Sequence, residues 1–201
     1  MALLFANNNS LSAITTKPSG LSGGALNLIS TQTASSSSTI SFTSGIDDTY
    51  DSYVFKFYDI HPANDNTFLT FQADTGTNTN YNQTITSTFF KALHNESGST
   101  SALSYDTASD LAQSTSFQYL SRNVGNDNDQ SISGTLQVFS PSSSTFVKHF
   151  ISRTNVYTND DYSIDSAIAG YFNTTTALTR FQFKMASGNI DSGVIKLYGI
   201  S

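Results

Sequence analysis

The side chains that could act in catalysis are three histidines, many serines and fourteen aspartates. His61 precedes a proline at the end of a predicted strand, His94 begins a polar loop, and His149 lies within the apolar run 146–151. A general base needs a nucleophile or a substrate held in hydrogen-bond reach, and none of these positions predicts such a partner. Surface or core roles explain all three histidines, so we expect a protein that is not an enzyme.

Two aspartate-rich segments have the residue types of a calcium site. Asp127–Asp129 and Asp47–Asp51 resemble fragments of oxygen-ligand loops, but the twelve-residue calcium loop requires glycine at position six and glutamate at position twelve. Counted from Asp127, those positions hold Ile132 and Val138. Aspartate and asparagine are also the usual residues of tight turns. We therefore expect no metal ion and no cofactor.

Sugar chemistry is the strongest chemical alternative. Glycoside cleavage usually needs a pair of carboxylates that flank the scissile bond, and the chain has a single glutamate. It also has no tryptophan, which is a common platform for sugar rings. Sugar binding without cleavage stays open, because tyrosine, asparagine and aspartate can stack on sugars and hydrogen-bond to them. The candidate residues are Tyr157, Asn159, Asp160 and Tyr162.

Composition excludes several other classes. The 201 residues carry a net charge of −6 and have no run of Lys and Arg, which a nucleic-acid-binding surface would need. With no cysteine, disulfides and thiolate metal sites are excluded. No apolar run approaches the roughly 20 residues that span a bilayer. We expect a soluble protein that does not insert into membranes and is made in a cytoplasm.

The elements that would position these side chains are strands. Serine, threonine and asparagine make up 76 residues, and they compete with helical hydrogen bonds. Apolar and polar residues alternate in segments such as 53–58, 136–138 and 181–185, which is the pattern of antiparallel strands with one buried face. The spacing of turns predicts an all-β, antiparallel two-sheet β-sandwich, most simply a jelly roll.

Two segments are ambiguous. Ile85, Phe89 and Leu93 fit one face of a helix as well as one face of a strand, although the threonines between them favour a strand. Residues 104–113 could hold a short helical turn.

Residues 1–24 have no regular period and predict an extended arm, whereas residues 25–201 predict a single β-sandwich domain. Termini are often unstructured, but a run of three large apolar residues in the arm suggests an anchor that contacts a neighbouring subunit. The candidate anchor residues are Leu3, Leu4, Phe5, Leu11 and Ile14.

Three segments of the chain resemble a known group of proteins. The segments are Leu28–Ala34, Thr39–Pro62, which contains the run Tyr53-Val-Phe-Lys-Phe-Tyr-Asp-Ile60, and Ser187–Ile200. Together they are similar to segments of uncharacterised virion structural proteins of tailed bacteriophages, especially marine ones. The resemblance extends from about residue 20 to the end. It implies a virion component and carries no catalytic residue.

These observations predict a non-enzymatic decoration or cement protein on the outside of a phage capsid, assembled in the host cytoplasm. Its expected partners are the major capsid protein or other virion proteins and further copies of itself, as a trimer or dimer. The alternative is a receptor-binding module of a tail or head fibre that recognises a host surface glycan.

Overall fold

A computed structural model describes residues 26–201, which form twelve antiparallel strands in two sheets and no helix. The strands are β1 (Asn27–Ser37), β2 (Ile40–Phe42), β3 (Ser52–Pro62), β4 (Leu69–Thr75), β5 (Ile85–Asn95), β6 (Ser101–Tyr105), β7 (Gln118–Tyr119), β8 (Ile132–Phe139), β9 (Lys148–Tyr157), β10 (Tyr162–Phe172), β11 (Leu178–Met185) and β12 (Ile190–Ile200). The predicted all-β sandwich is confirmed.

Eight of these strands have the connectivity of a jelly roll. The larger sheet begins β1-β12-β3-β8, and the smaller sheet has the order β2-β11-β4-β7. Without β5, β6, β9 and β10, each sheet has four strands, and the first strand pairs with the last. This is the double Greek-key arrangement of a jelly roll.

The remaining four strands are two hairpin insertions that widen one sheet. β5 and β6 follow β4, and β9 and β10 follow β8, yet they join side by side in the order β8-β9-β10-β5-β6. The larger sheet therefore has eight strands, and its edges are β1 and β6. The candidate functional surfaces described below lie on the inserted strands.

Aromatic side chains fill the space between the sheets. Phe183 lies near the centre, and its ring centroid is 5.0 Å from that of Phe55, 5.4 Å from Phe57 and 6.1 Å from Phe42. All three pairs meet edge to face, which is a favourable geometry for aromatic rings. Phe183 is completely buried. The alternating phenylalanines of β11 thus supply the middle of the core.

The segment 106–131, which we call the covering segment, packs on the inner face of the inserted strands, which extend beyond the smaller sheet. Apart from the two residues of β7, it has no strand. Its backbone is held by buried glutamine side chains. Nε2 of Gln72 donates to the carbonyls of Thr115 and Ser116, and Nε2 of Gln118 donates to the carbonyl of Ser109. Buried backbone groups need such partners, because an unpaired one costs about 1–3 kcal/mol.

Pairing between strands resolves the two ambiguous segments. Ile85, Phe89 and Leu93 lie on β5, which pairs along its whole length with β10. Phe89 and Ile85 are buried, and Leu93 packs against the core. Residues 107–109 form a turn closed by a hydrogen bond from Ser109 N to Asp106 O, and no helix forms there. None of the described residues belongs to a helix that could span a membrane.

Phe183→Ala should destabilise the fold by about 3–5 kcal/mol, because it removes the ring that four other phenylalanines contact. Urea unfolding measures this change. Phe146→Ala is the matched control, since Phe146 is 72% exposed and its loss should change the free energy of unfolding by no more than about 0.5 kcal/mol. Similar effects of the two substitutions would contradict the central role of Phe183.

Candidate functional site

Apolar side chains are exposed on the outer face of β5 and β6. Phe90 of β5 pairs with Tyr105 of β6, and Ala92 pairs with Leu103. Leu103 is 78% exposed, and the Phe90 and Tyr105 rings meet edge to face at 5.1 Å. Large exposed apolar patches often mark interaction sites. We call these four residues the edge patch.

A groove of about 450 Å³ opens on the same face, between β8 and β5. It lies where the inserted strands join the jelly roll. Gly170 lies in its floor, and a Cβ there would be 2.6 Å from the Phe150 ring, so only glycine lets this ring pack beneath the groove. The groove is lined by Thr88, Phe139, His149, Ile151, Ala169 and Tyr171, and most of its surface is apolar.

A salt bridge lies beside both apolar surfaces. The Arg153 guanidinium donates to both carboxylate oxygens of Asp165, with distances of 2.6–3.2 Å. The hydrogen bonds from Arg153 and its charge outweigh burial and hold the pKa of Asp165 below its ordinary value. Because the two charges compensate each other, this part of the outer face has little net field.

A buried ion cluster supports the inserted strands from the inner side. Lys91 of β5 is 2.9 Å from the carboxylate of Asp106, and Arg122 Nε is 3.4 Å from the same oxygen. Burial raises the pKa of Asp106, but the Lys91 hydrogen bond and the Arg122 charge lower it more, so the carboxylate stays ionised. Arg122 also donates to Ser109 Oγ at 2.9 Å. The cluster ties the covering segment to β5.

A buried lysine fixes the ends of the groove-forming strands. Lys148, the first residue of β9, is fully buried, and burial lowers its pKa. Its Nζ donates to the Phe146 carbonyl at 3.0 Å and to the Thr174 carbonyl at 3.1 Å. The loops before β9 and after β10 are therefore held together next to the groove.

The residues predicted for sugar binding lie at the β9–β10 hairpin, on two sides of the sheet. Tyr157 is on the outer face, in a depression of about 330 Å³ that we call the hairpin depression, lined also by His94, Asn95, Glu96 and Asn155. Burial, the hydrogen bond to Asp161 and the nearby Glu96 charge raise the pKa of Tyr157 to about 12. Its hydroxyl donates its proton to the Asp161 carboxylate at 3.2 Å, which leaves the oxygen lone pairs to accept a hydrogen bond.

Tyr162 and Asp160 lie in a different depression. It is formed by Lys91, Asn123 and Ile164 among others, and Tyr162 packs partly against the core. Asn159 is in the turn, where its backbone N–H donates to the Asn123 carbonyl. The alternation of β10 puts Tyr162 on the face opposite Ser163, which pairs with Tyr157. The four residues do not form one surface.

One of the two acidic segments and two of the three histidines have structural partners. The hydrogen bonds of Thr49 and Tyr53 lower the pKa of Asp47, whose carboxylate closes a turn. His61 Nδ1 is 2.7 Å from the Gln130 carbonyl, and the His149 ring meets that of Tyr171 at 6.1 Å. Within residues 26–201, no three His, Cys, Asp or Glu side chains are placed to bind a metal ion.

The edge patch and the groove were not predicted from the sequence. A signal was present, because Phe90, Leu103 and Ile151 occupy the polar positions of their alternating strands. A strand with apolar residues on both faces either lies between two layers or presents an exposed binding face. The predicted anchor residues Leu3, Leu4, Phe5, Leu11 and Ile14 lie outside the described residues.

Asp106→Asn should destabilise the protein by about 2 kcal/mol at neutral pH, because Lys91 and Arg122 lose their charged partner. The pKa of Asp106 is lower when folded, so its contribution is complete above the ordinary aspartate pKa of 3.8 and is lost as the pH falls below it. Urea unfolding of both proteins from pH 7 to pH 3 measures this difference.

The exposed Asp48→Asn is the control and should change the free energy of unfolding by less than about 0.5 kcal/mol. A difference between wild type and Asp106→Asn that is as large at pH 3 as at pH 7 would contradict the electrostatic origin of the effect.

Comparison with known proteins gives no relative for this chain: no protein-family model, no curated protein and no solved structure matches it. The role of the edge patch, the groove and the hairpin depression is therefore inferred from the residues of this chain.

Proposed function

We propose that this chain is a non-enzymatic structural protein of a phage virion, most simply a decoration protein that binds the outside of the capsid through its edge patch. The carrying observation is the cluster of exposed apolar side chains on strands inserted into the jelly roll. The resemblance of Thr39–Pro62 and Ser187–Ile200 to phage virion proteins supplies the biological setting.

The edge patch has the composition of an interface centre. Leu103, Phe90 and Tyr105 are 78%, 48% and 40% exposed, and fully burying such side chains contributes about 1.5–3 kcal/mol each. The Tyr105 hydroxyl donates to Asp110, and this hydrogen bond raises the pKa of Tyr105. The ring is thus held against Phe90 before any partner binds, which reduces the entropy lost on association.

Strand β6 has one edge, beside the edge patch, whose backbone N–H and C=O groups pair with no other strand of the described sheet. Its five residues, Ser101–Tyr105, pair with β5 on one side, and β6 is the last strand of the sheet. Protective features of edge strands are charged residues, prolines and bulges. β6 has no charged residue and no proline, and its pairing with β5 is regular. An extended segment of a capsid protein could therefore add to this edge by β-augmentation, as in other peptide-recognition modes.

Repetition would strengthen such contacts. A capsid presents the same surface many times, and linked copies of a weak binder gain avidity without any new contact. The edge patch contains no charged side chain, and the adjacent Arg153 and Asp165 neutralise each other. Binding should therefore depend mainly on apolar burial and backbone hydrogen bonds.

The hairpin depression supports a second candidate function, recognition of a host surface glycan. Tyr157 offers a ring and a hydroxyl oxygen that can accept a hydrogen bond, and the amides of Asn95 and Asn155 and the carboxylate of Glu96 line the same depression. These are the groups that hydrogen-bond and stack on sugars. The residues of this depression are different from those of the edge patch.

Leu103→Asp should reduce binding to purified capsids that lack the protein by at least tenfold, because a charge would be buried at the centre of the contact. Sedimentation of labelled protein with the capsids measures binding. Leu28→Asp is the matched control, since Leu28 is a 57% exposed leucine on the opposite edge of the same sheet, and it should bind as the wild type does.

Wild-type binding should change less than threefold between 50 mM and 500 mM salt, since exposed charges alone are strongly screened over this range. A steep salt dependence, equal binding of both variants, or absence of the protein from the mass spectrum of purified virions would contradict decoration through the edge patch.

For the glycan alternative, Tyr157→Ala should abolish binding of labelled protein to host cells, whereas Tyr162→Ala should retain it if the protein stays folded. The reason is that Tyr162 lies on the opposite face of the sheet and lines a separate depression. Circular dichroism checks folding. Wild-type protein that does not bind host cells would count against this function, as would equal loss in the two variants.

A further inference from the structure

The groove between β8 and β5 has no covering element among the described residues, although most of its lining is apolar. Ile151, in the middle of its wall, is 55% exposed. Its volume of about 450 Å³ is within the range of protein ligand pockets, and the lining contains no Asp, Glu, Lys or Arg side chain. An occupant should therefore be apolar and uncharged.

The described chain begins at the same end of the sheet as the groove. Asn27 of β1 pairs with Gly199, and successive pairings continue through Tyr53, Val138 and Phe150 to Gly170 in the groove floor. β1 therefore begins level with the groove, at the edge of the larger sheet that lies five strand spacings from β10.

A row of largely apolar side chains crosses the outer face from that point to the groove. Each residue pairs with the next on the neighbouring strand over six strands, and within this row Leu28 and Ile151 are exposed whereas Val54 is only 7% exposed. Five of its six members are apolar or aromatic. They are Leu28, Tyr198, Val54, Gln137, Ile151 and Ala169.

The preceding segment is long enough to follow this row. Strands are about 4.8 Å apart, so the way from β1 to β10 is about 24 Å. Phe5 precedes Leu26 by 21 residues, which can extend to about 70 Å at 3.3 Å per residue. The segment also has the required chemistry: Ala2–Ala6 is wholly apolar, and Lys17 is the one charged side chain in residues 1–25.

We infer that, in the free protein, Leu3, Leu4 and Phe5 occupy the groove of their own chain. A tethered segment has an effective concentration in the millimolar range, which exceeds the concentration of other copies in a micromolar solution. Docking within one molecule therefore dominates in dilute solution. The inference goes beyond the proposed decoration function and does not depend on it, because the edge patch is a separate surface.

Engineered cysteines test this position directly, because the natural chain has none. In Ala6→Cys/Thr88→Cys, one cysteine follows Phe5 and the other lines the groove. Under mild oxidation at micromolar concentration, this pair should form an intrachain disulfide at least ten times faster than the control pair Ala6→Cys/Ser101→Cys. Ser101 is exposed on the same face, at the other end of the sheet and still within reach of the segment.

A third protein tests whether apolar contact directs the segment. Adding Leu3→Asp and Phe5→Asp to the Thr88 pair leaves the tether and the distance to Thr88 unchanged and should reduce the rate of disulfide formation at least tenfold. Non-reducing electrophoresis and the mass of the alkylated protein distinguish the products. Equal rates of disulfide formation for the Thr88 pair and the Ser101 pair, both with Leu3 and Phe5 unchanged, would overturn the inference. Disulfide-linked dimers from the Thr88 pair would also overturn it, because they would show that the segment of a second copy is the occupant.

Discussion

The fold depends on one imbalance: its two sheets differ in width. The jelly-roll strands form two matched layers of four, but the insertions widen one layer to eight strands, beyond the reach of the smaller sheet. A wide sheet face must be covered, and a covering segment without strands must still satisfy its backbone polar groups. Here side chains do so. Gln72, Gln118 and Gln130 are buried and hydrogen-bond to carbonyls of the segments that they contact.

The few charged side chains of the chain serve the same purpose of holding loops and strands. Asp106 is almost fully buried, and it is paired with one cation from β5 and one from the covering segment. Asp74 is buried too, and accepts hydrogen bonds from the backbone N–H groups of Thr75 and Tyr81. These carboxylates position loops and strands. The outer faces are left mainly to hydroxyl, amide and apolar groups.

The candidate surfaces lie apart from the centre of the core. The aromatic core around Phe183 belongs to the jelly roll, whereas the edge patch and the hairpin depression lie on inserted strands, and the groove forms at the junction. Because the added hairpins are bonded to β8 and supported from inside by the covering segment, they can present apolar side chains outward without unfolding the core. Many widespread folds carry their functional sites on such additions.

The sequence alone determined the class of structure. Alternation in segments such as 181–185, few helix-forming residues and many turn residues indicate antiparallel strands, because a strand with one buried face repeats every two residues whatever its neighbours are. The two-layer sandwich followed from the number and spacing of such segments. Under the same local rule Ile85, Phe89 and Leu93 stay ambiguous. They are four residues apart, and this spacing fits both the period of a helix and the two-residue period of a strand.

Only the tertiary structure decided which strands are neighbours, and with that the candidate surfaces. The groove combines Phe139, Ile151 and Ala169 with Thr88, which is about 50 residues distant from the nearest of them in the chain. Strand pairing likewise separates Tyr157 from Tyr162 onto opposite faces, although they are close in sequence. Period-two alternation specifies that one face is buried, but it contains no information about the partner strand. The partner is set by burial and hydrogen bonding over long sequence distances, which arise only when the whole chain folds.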